Sequence, residues 1–352
     1  MAVWFIKSAA TALHVSGMDR VLDRMSGRFG SILMLHQVRA ARNAACDVNA
    51  ALAVGPDFQR EVLNWVSASD HDVISMDALP ERVAKMAAGE KMDRFIALTF
   101  DDGYLDNLDV AAPILRDQGF PYTIYAATGL MEGSSALWWA GLEWVLEDRD
   151  SIEVDFGNGA ETLNLRSRTQ TCHAFERLMY HCQVTLNERE QRDFVQALCD
   201  RYEVDLWGRT KAEMMSVEQM RDLSRDPLCT FGAHTVNHYA LGRLDARAAR
   251  REILAGAEVV AAVTGERPRH LAYPYGNPIA AGEREFALAK ELGFKTAVTT
   301  RKGAIYGDHA DHMLALPRIS LNGNYQSMSF TKAWVTGVPA LVYNRGRRLS
   351  VA

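Results

Sequence analysis

A chain of 352 residues, 48% of them hydrophobic, holds enough apolar material for one large core with an elaboration, and two equal domains fit it less well. The formal net charge of -5, with basic residues gathered on no single face, excludes nucleic acid as the expected partner. Five scattered cysteines (Cys46, Cys172, Cys182, Cys199, Cys229), odd in number and without C-x-x-C spacing, exclude a cysteine zinc site or a disulfide framework and read as reduced structural thiols.

Residues 1–30 read as an N-terminal amphipathic helical extension. Leu13, Val21, Leu22 and Met25 recur at helical period among Arg20, Asp23, Arg24 and Arg28, a face for packing on the domain or for a membrane surface or partner. The opening Ala2–Ile6 apolar run is too short for a secretory core, and no run reaches membrane-spanning length, so a cytoplasmic place of action is expected. From residue 31 to 352 a single domain is expected. Ile32–Leu35 forms an apolar strand that ends in His36. Pro56 opens a helix over 57–66, 71–75 is a strand, and Asp77 is placed to cap a helix to Met86.

Phe95–Leu98 is a buried parallel strand, and it delivers Thr99-Phe100-Asp101-Asp102-Gly103-Tyr104 to a strand end, where α/β barrels keep their chemistry. Asp-Asp-Gly is also ordinary turn vocabulary. A helix over 106–118 stops at Gly119, and Tyr122–Ala126 is the next strand. From 134 to 215 the rhythm breaks into a mostly helical insertion, a lid or a substrate wall. Trp138 and Trp139 there suit stacking on sugar rings, or form with Trp144 the insertion's own core.

Ser216 and Gln219 make a capping box for a short helix, and Leu228–Phe231 is a strand. It runs into His234-Thr235-Val236-Asn237-His238. If one helical turn follows Gly232, the two histidines lie on one face about 6 Å apart and can share a metal. Asp245 caps a helix to Val263, 269–273 is a strand that enters Pro274-Tyr275, 283–292 is a helix, and 296–299 and 314–319 are the last strands. Eight strand centres alternating with helices argue a parallel sheet with helices outside.

The two strand-end segments together resemble the polysaccharide deacetylases of NodB-homology type, carbohydrate esterase family 4, over about residues 31–325. Thr99–Tyr104 is similar to that family's first motif and His234–His238 to its His-(Ser/Thr)-x-x-His second motif. The resemblance implies a distorted (β/α)7 barrel, with Asp102, His234 and His238 as ligands of Zn2+ or another divalent first-row metal and Asp101 as base. Ala272-Tyr273-Pro274-Tyr275 stands in the third motif, Arg-x-Pro-Tyr, which gives Tyr275 the oxyanion role through its backbone N–H. Ala272 replaces the arginine that pairs with the catalytic aspartate, and Arg318 is the candidate replacement. The usual C-terminal Leu-x-His is missing. Circularly permuted members carry that acid histidine on an N-terminal strand, and Met34-Leu35-His36-Gln37-Val38 looks like that arrangement, with His309 and His312 as rivals.

Tyr104, Trp138, Trp139 and Pro274 are the expected substrate-side residues. The implied activity is metal-dependent removal of N-acetyl groups from an amino sugar in an oligo- or polysaccharide or its lipid-linked precursor. The expected location is the cytoplasm, at the inner membrane face, where the tail residues Arg345, Arg347 and Arg348 offer weak attraction to anionic lipid. A sugar deformylase or O-deacetylase is the alternative on the same scaffold. A silent carbohydrate-binding protein is the alternative from another class, and Asp101 has no evident purpose in it.

Overall fold

The computed structural model describes residues 29–40 and 47–351, so Cys46 and all but the last two residues of the helical extension expected over 1–30 lie outside the described residues. Eight parallel strands form its centre: β1 (Gly30–Leu35), β2 (His71–Ile74), β3 (Arg94–Asp102), β4 (Tyr122–Ala126), β5 (Cys229–Ala233), β6 (His270–Ala272), β7 (Thr296–Lys302) and β8 (Leu316–Ser320). Seven of them close into a ring in the order β1-β8-β7-β6-β5-β4-β3. The seam is the pairing of β1 with β3, from Gly30 opposite Phe95 to Leu35 opposite Phe100. β2 pairs with the opening residues Arg94–Ala97 of β3 and stands outside that ring order.

Closure follows from composition. The seven ring strands are buried along nearly their whole length, as strands covered by helices outside and by one another inside must be. Ile32, Ala97, Tyr125, Ala272, Val298 and Leu316, from six ring strands, meet in one cluster that the helix Leu79–Ala87 also joins. That helix corrects one local expectation. Its N-cap is Ala78, with no side-chain cap, and the Asp77 carboxylate instead accepts from His270 Nε2 at 2.7 Å and Arg269 at 3.0 Å. A charge-assisted tertiary contact outcompetes a cap at this helix start.

The helix expected over 106–118 begins as a wide π turn, Asn107–Ala111, before Ala112–Gln118, and Gly119 ends it at φ 67°. Pro113, which lacks an N–H, fits that irregularity. The insertion comprises the helices Trp138–Leu146, Arg168–Tyr180, Glu188–Arg201 and Leu206–Glu213 and a hairpin of Ser151–Asp155 with Ala160–Asn164. Its tryptophans form no separate small core. Trp138, Trp139 and Trp144 share one cluster with Leu98, Phe100 and Ile124 of the barrel. Among the described residues no helix is long and apolar enough to cross a membrane.

Candidate active site

Adjacent strand residues ordinarily point to opposite faces. Asp102 leaves β3 at φ 77°, in the left-handed region, and with that turn Asp101 and Asp102 both line one cavity of about 380 Å³ at the strand tips. Each aspartate is 2% exposed. Their partners differ, and so does what they can do.

Asp101 faces Arg318, which crosses from β8. Nη1 donates to Oδ1 at 2.7 Å and Nη2 to Oδ2 at 2.6 Å, a two-pronged pair that only a guanidinium makes. Arg318 is itself 1% exposed and donates further to the Thr299 carbonyl at 2.9 Å and to Thr99 Oγ1 at 3.2 Å. Burial alone would raise the Asp101 carboxyl; the guanidinium outweighs it and holds the group below the ordinary carboxylate range. Asp101 is therefore an ionised carboxylate with a fixed orientation.

Asp102 faces two imidazoles. His234 Nε2 lies 3.3 Å and His238 Nε2 3.2 Å from its Oδ1, and the three ligand-type atoms fall within 4.8 Å of one another. The helical turn expected after Gly232 does not form. Residues 234–238 run as a loop, with left-handed φ at Thr235 (65°) and His238 (54°), and the two rings meet with centroids 4.9 Å apart. Thr235 Oγ1 accepts from the His238 N–H at 3.1 Å, which ties the loop to itself. Beneath it runs the helix Ala246–Thr264, whose Gly256 is required there, since a Cβ would stand 2.6 Å from the Thr235 carbonyl carbon.

This donor set fits a divalent first-row cation. His234 Nδ1 is bonded to the Ala272 carbonyl at 2.7 Å, which fixes the tautomer and leaves Nε2 as the free lone pair. The buried Asp102 Oδ1 has no hydrogen-bond donor, an orphan that a cation would satisfy. Burial opposes the Asp102 charge, but the imidazoles hold the carboxyl well below the usual range. Burial in turn lowers His238 toward the neutral form a ligand needs, whereas at His234 the neighbouring Asp102 carboxylate overcomes burial and raises it.

His36, at the tip of β1, lines the same cavity with Nε2 3.9 Å from Asp101 Oδ2. Its carbonyl accepts from Asn107 Nδ2 at 2.7 Å, a support the sequence reading missed because Asn107 looks like the start of a helix 71 positions away. Neither rival histidine lines the cavity. His309 is fully buried elsewhere, pushed down to about 4 by burial, with its Nδ1 accepting from the Tyr306 N–H.

Tyr275 sits at φ 61°, its ring 4.8 Å from that of His238, and its hydroxyl accepts from Trp138 Nε1 at 3.0 Å. Trp139 packs on His238 at 5.0 Å and donates to the Tyr104 hydroxyl at 3.1 Å. Both tryptophans border the cavity while buried to 1% and 6% exposure, so they are fixed walls rather than open stacking platforms. Tyr104 and Pro274 are buried and are not among the residues that line the cavity. From the insertion, Phe175, Met179 and Gln183 also reach the cavity, with Asn49, Leu52 and Asn277 contributed by the barrel loops.

Residues 194–297 match the family model of polysaccharide deacetylase, a stretch that contains the histidine loop and the Pro-Tyr segment. Over that stretch the chain carries a polysaccharide deacetylase domain. No curated protein matches it in sequence. The fold of the chain is similar to that of the Streptococcus pyogenes deacetylase PplD in complex with acetate, at TM-score 0.57 and 19% identity over 88% of this chain and 98% of that one. It is similar to IcaB from Ammonifex degensii at TM-score 0.54 and 16% identity, covering 88% and 98% of the two chains. A de-N-acetylase from Aggregatibacter actinomycetemcomitans gives TM-score 0.53 and 13% identity over 87% and 99%. The ring of parallel strands is the (β/α)7 barrel of these neighbours.

Proposed function

We propose that this protein is a metal-dependent hydrolase that removes N-acetyl groups from an amino sugar within an oligo- or polysaccharide or its lipid-linked precursor. The observation that carries the reading is the division of labour between neighbouring aspartates. Asp102 is drawn to two histidines, whereas Asp101 is held ionised by Arg318 and is free of any ligand duty.

Asp102, His234 and His238 would hold Zn2+ or another divalent first-row ion, which when bound acidifies water and polarises an acyl oxygen. The remaining steps belong to this chain. Asp101, which lines the cavity, accepts the proton of the attacking water, and the Arg318 fork fixes the orientation of its carboxylate. The Tyr275 backbone N–H is assigned to the developing oxyanion. His36, across from Asp101, delivers a proton to the departing amine, a poor leaving group without one. In this role His36 is the acid of a circularly permuted member, supported by the position of β1 between β8 and β3. Trp138 and Trp139 bound the sugar's space. The exposed Arg345, Arg347 and Arg348 support action at an anionic membrane face, which vesicle co-sedimentation tests.

The test of substrate class is a panel of N-acetylated, N-formylated and O-acetylated sugar oligomers, followed by new amines and by released acid. N-acetyl oligomers should gain amines fastest. Preferential release of formate, or of acetate without new amines, would replace the reading with a deformylase or an O-deacetylase.

A further inference from the structure

The loop that carries His238 is held from two sides by residues outside the ligand set. On one side Glu252, from helix Ala246–Thr264, accepts from the backbone N–H of Val236 at 3.3 Å and of Asn237 at 2.9 Å, and from Asn237 Nδ2 at 2.7 Å. On the other side Arg192, from the insertion helix Glu188–Arg201, donates through Nη2 to the carbonyls of Asn237 at 3.1 Å and His238 at 3.2 Å. Its Nη1 is anchored on Glu188 Oε2 at 2.9 Å, and its guanidinium carbon lies 4.7 Å from the centre of the Tyr239 ring. Glu188, 5% exposed, also faces Arg243 at 3.5 Å, and Arg243 returns to the insertion at the carbonyls of Gln183 and Leu186.

Thus one buried glutamate stands between two arginines, one reaching into the histidine loop and one reaching out of it. The loop needs such support. His238 holds a left-handed φ that a histidine keeps only where its surroundings over-determine it, and its Nδ1 is buried without a hydrogen-bond partner. The ring therefore has no polar tether of its own beyond the Asp102 contact, and its orientation is set by the backbone and by the flanking Trp139 and Tyr275 rings.

We propose that Arg192 is a positioning residue through which the insertion sets the geometry and affinity of the metal site, acting on the backbone of residues 237–238. The inference rests on His238 being a ligand, as proposed above, but not on the reaction catalysed. It makes the insertion a structural part of the site: the same segment also bonds the Tyr275 and Tyr104 hydroxyls through Trp138 and Trp139.

The test is metal affinity in the full-length protein, measured by chelator competition with Zn2+ and by the visible spectrum after loading with Co2+. Arg192→Met keeps the aliphatic stem and removes the donors. It should weaken affinity about tenfold, the scale on which supports of a ligand act, and shift the Co2+ bands, which a purely structural residue would leave in place. Glu252→Gln should do the same to a lesser degree, because the amide still accepts. Should Arg192→Met fail to fold, Arg192→Lys, with a charge but no fork, is read in its place, and a several-fold loss is expected. Unchanged affinity and spectrum in the folded variant would overturn the clamp while leaving the ligands standing. A wild-type protein without affinity for Zn2+ or Co2+ would overturn both.

Discussion

Replacing Arg318 by methionine removes the two-pronged partner of a carboxylate that is 2% exposed and leaves that charge unpaired apart from the His36 imidazole at 3.9 Å. The guanidinium makes four hydrogen bonds here, two to Asp101 and one each to Thr299 and Thr99. Charge-assisted bonds are worth roughly 1.5–3 kcal/mol each, but the guanidinium's own desolvation offsets most of that sum. The net expectation is the cost of breaking a buried pair, about 3–5 kcal/mol of unfolding free energy, a large share of the roughly 5–15 kcal/mol typical of a folded protein. Activity should fall by at least about 10²-fold, because the base is no longer held in place. Denaturant unfolding measures the first quantity and amine release the second. The decisive comparison is the double variant Arg318→Met with Asp101→Asn. With the unpaired charge removed, it should be more stable than Arg318→Met alone by about 1–3 kcal/mol, although Asp101→Asn by itself is destabilising. A single variant that loses less than about 1 kcal/mol, or a double variant whose losses simply add, would refute the reasoning.

His36→Ala should retain metal and fold while lowering kcat on an N-acetyl sugar by about 10²- to 10⁴-fold, with a smaller loss on an activated aryl acetate that needs no proton on its leaving group; an equal loss on both substrates would remove His36 as the acid. His234→Ala and Asp102→Asn should each lower bound metal and activity together, whereas Asp101→Asn should lose turnover with metal retained, as read by metal analysis of the purified variants. Asp106, pushed up to about 7 chiefly by burial, gives a pH prediction of definite sign. Its folded value lies above its unfolded one, so the stability it contributes is present at acid pH and is lost as pH rises through about 7. Asp106→Asn should therefore stabilise the protein by up to a few kcal/mol at pH 8 and by nothing comparable at pH 4, a difference that urea unfolding at the two values measures.

The candidate site residues that were legible in the sequence sit in contiguous segments at strand tips. Asp101-Asp102, His234 and His238 are read from spacing, and parallel strands bring their tips together without further information. Arg318 and His36 were reached through the resemblance, as chemical roles left vacant elsewhere, and the barrel brings both beside Asp101 although 217 and 65 positions separate them in sequence. What stayed hidden depends on tertiary contacts. The histidines converge through left-handed backbone rather than a helical turn, which no periodicity signals. Asp77 abandons a cap for His270, 193 residues away. The paired tryptophans look like a sugar platform because hydropathy cannot tell a buried wall from an open one, and the insertion's fixed bonds to Tyr104 and Tyr275 were not visible in it. Arg192 and Asn107 act on backbone carbonyls far along the chain, a role for which residue type carries no signature.

The central claim is that a metal site and an ionised Asp101 together hydrolyse the N-acetyl group of a sugar. Proton NMR of N-acetylglucosamine oligomers incubated with the purified protein tests it directly, with acetate followed over time in the presence of Zn2+, after chelation and after Zn2+ is returned. The account predicts acetate in step with new amines, its loss on chelation, its recovery with metal, and none from metal-loaded Asp101→Asn. Acetate release that survives complete removal of metal, or that persists in the Asp101→Asn variant, would contradict it.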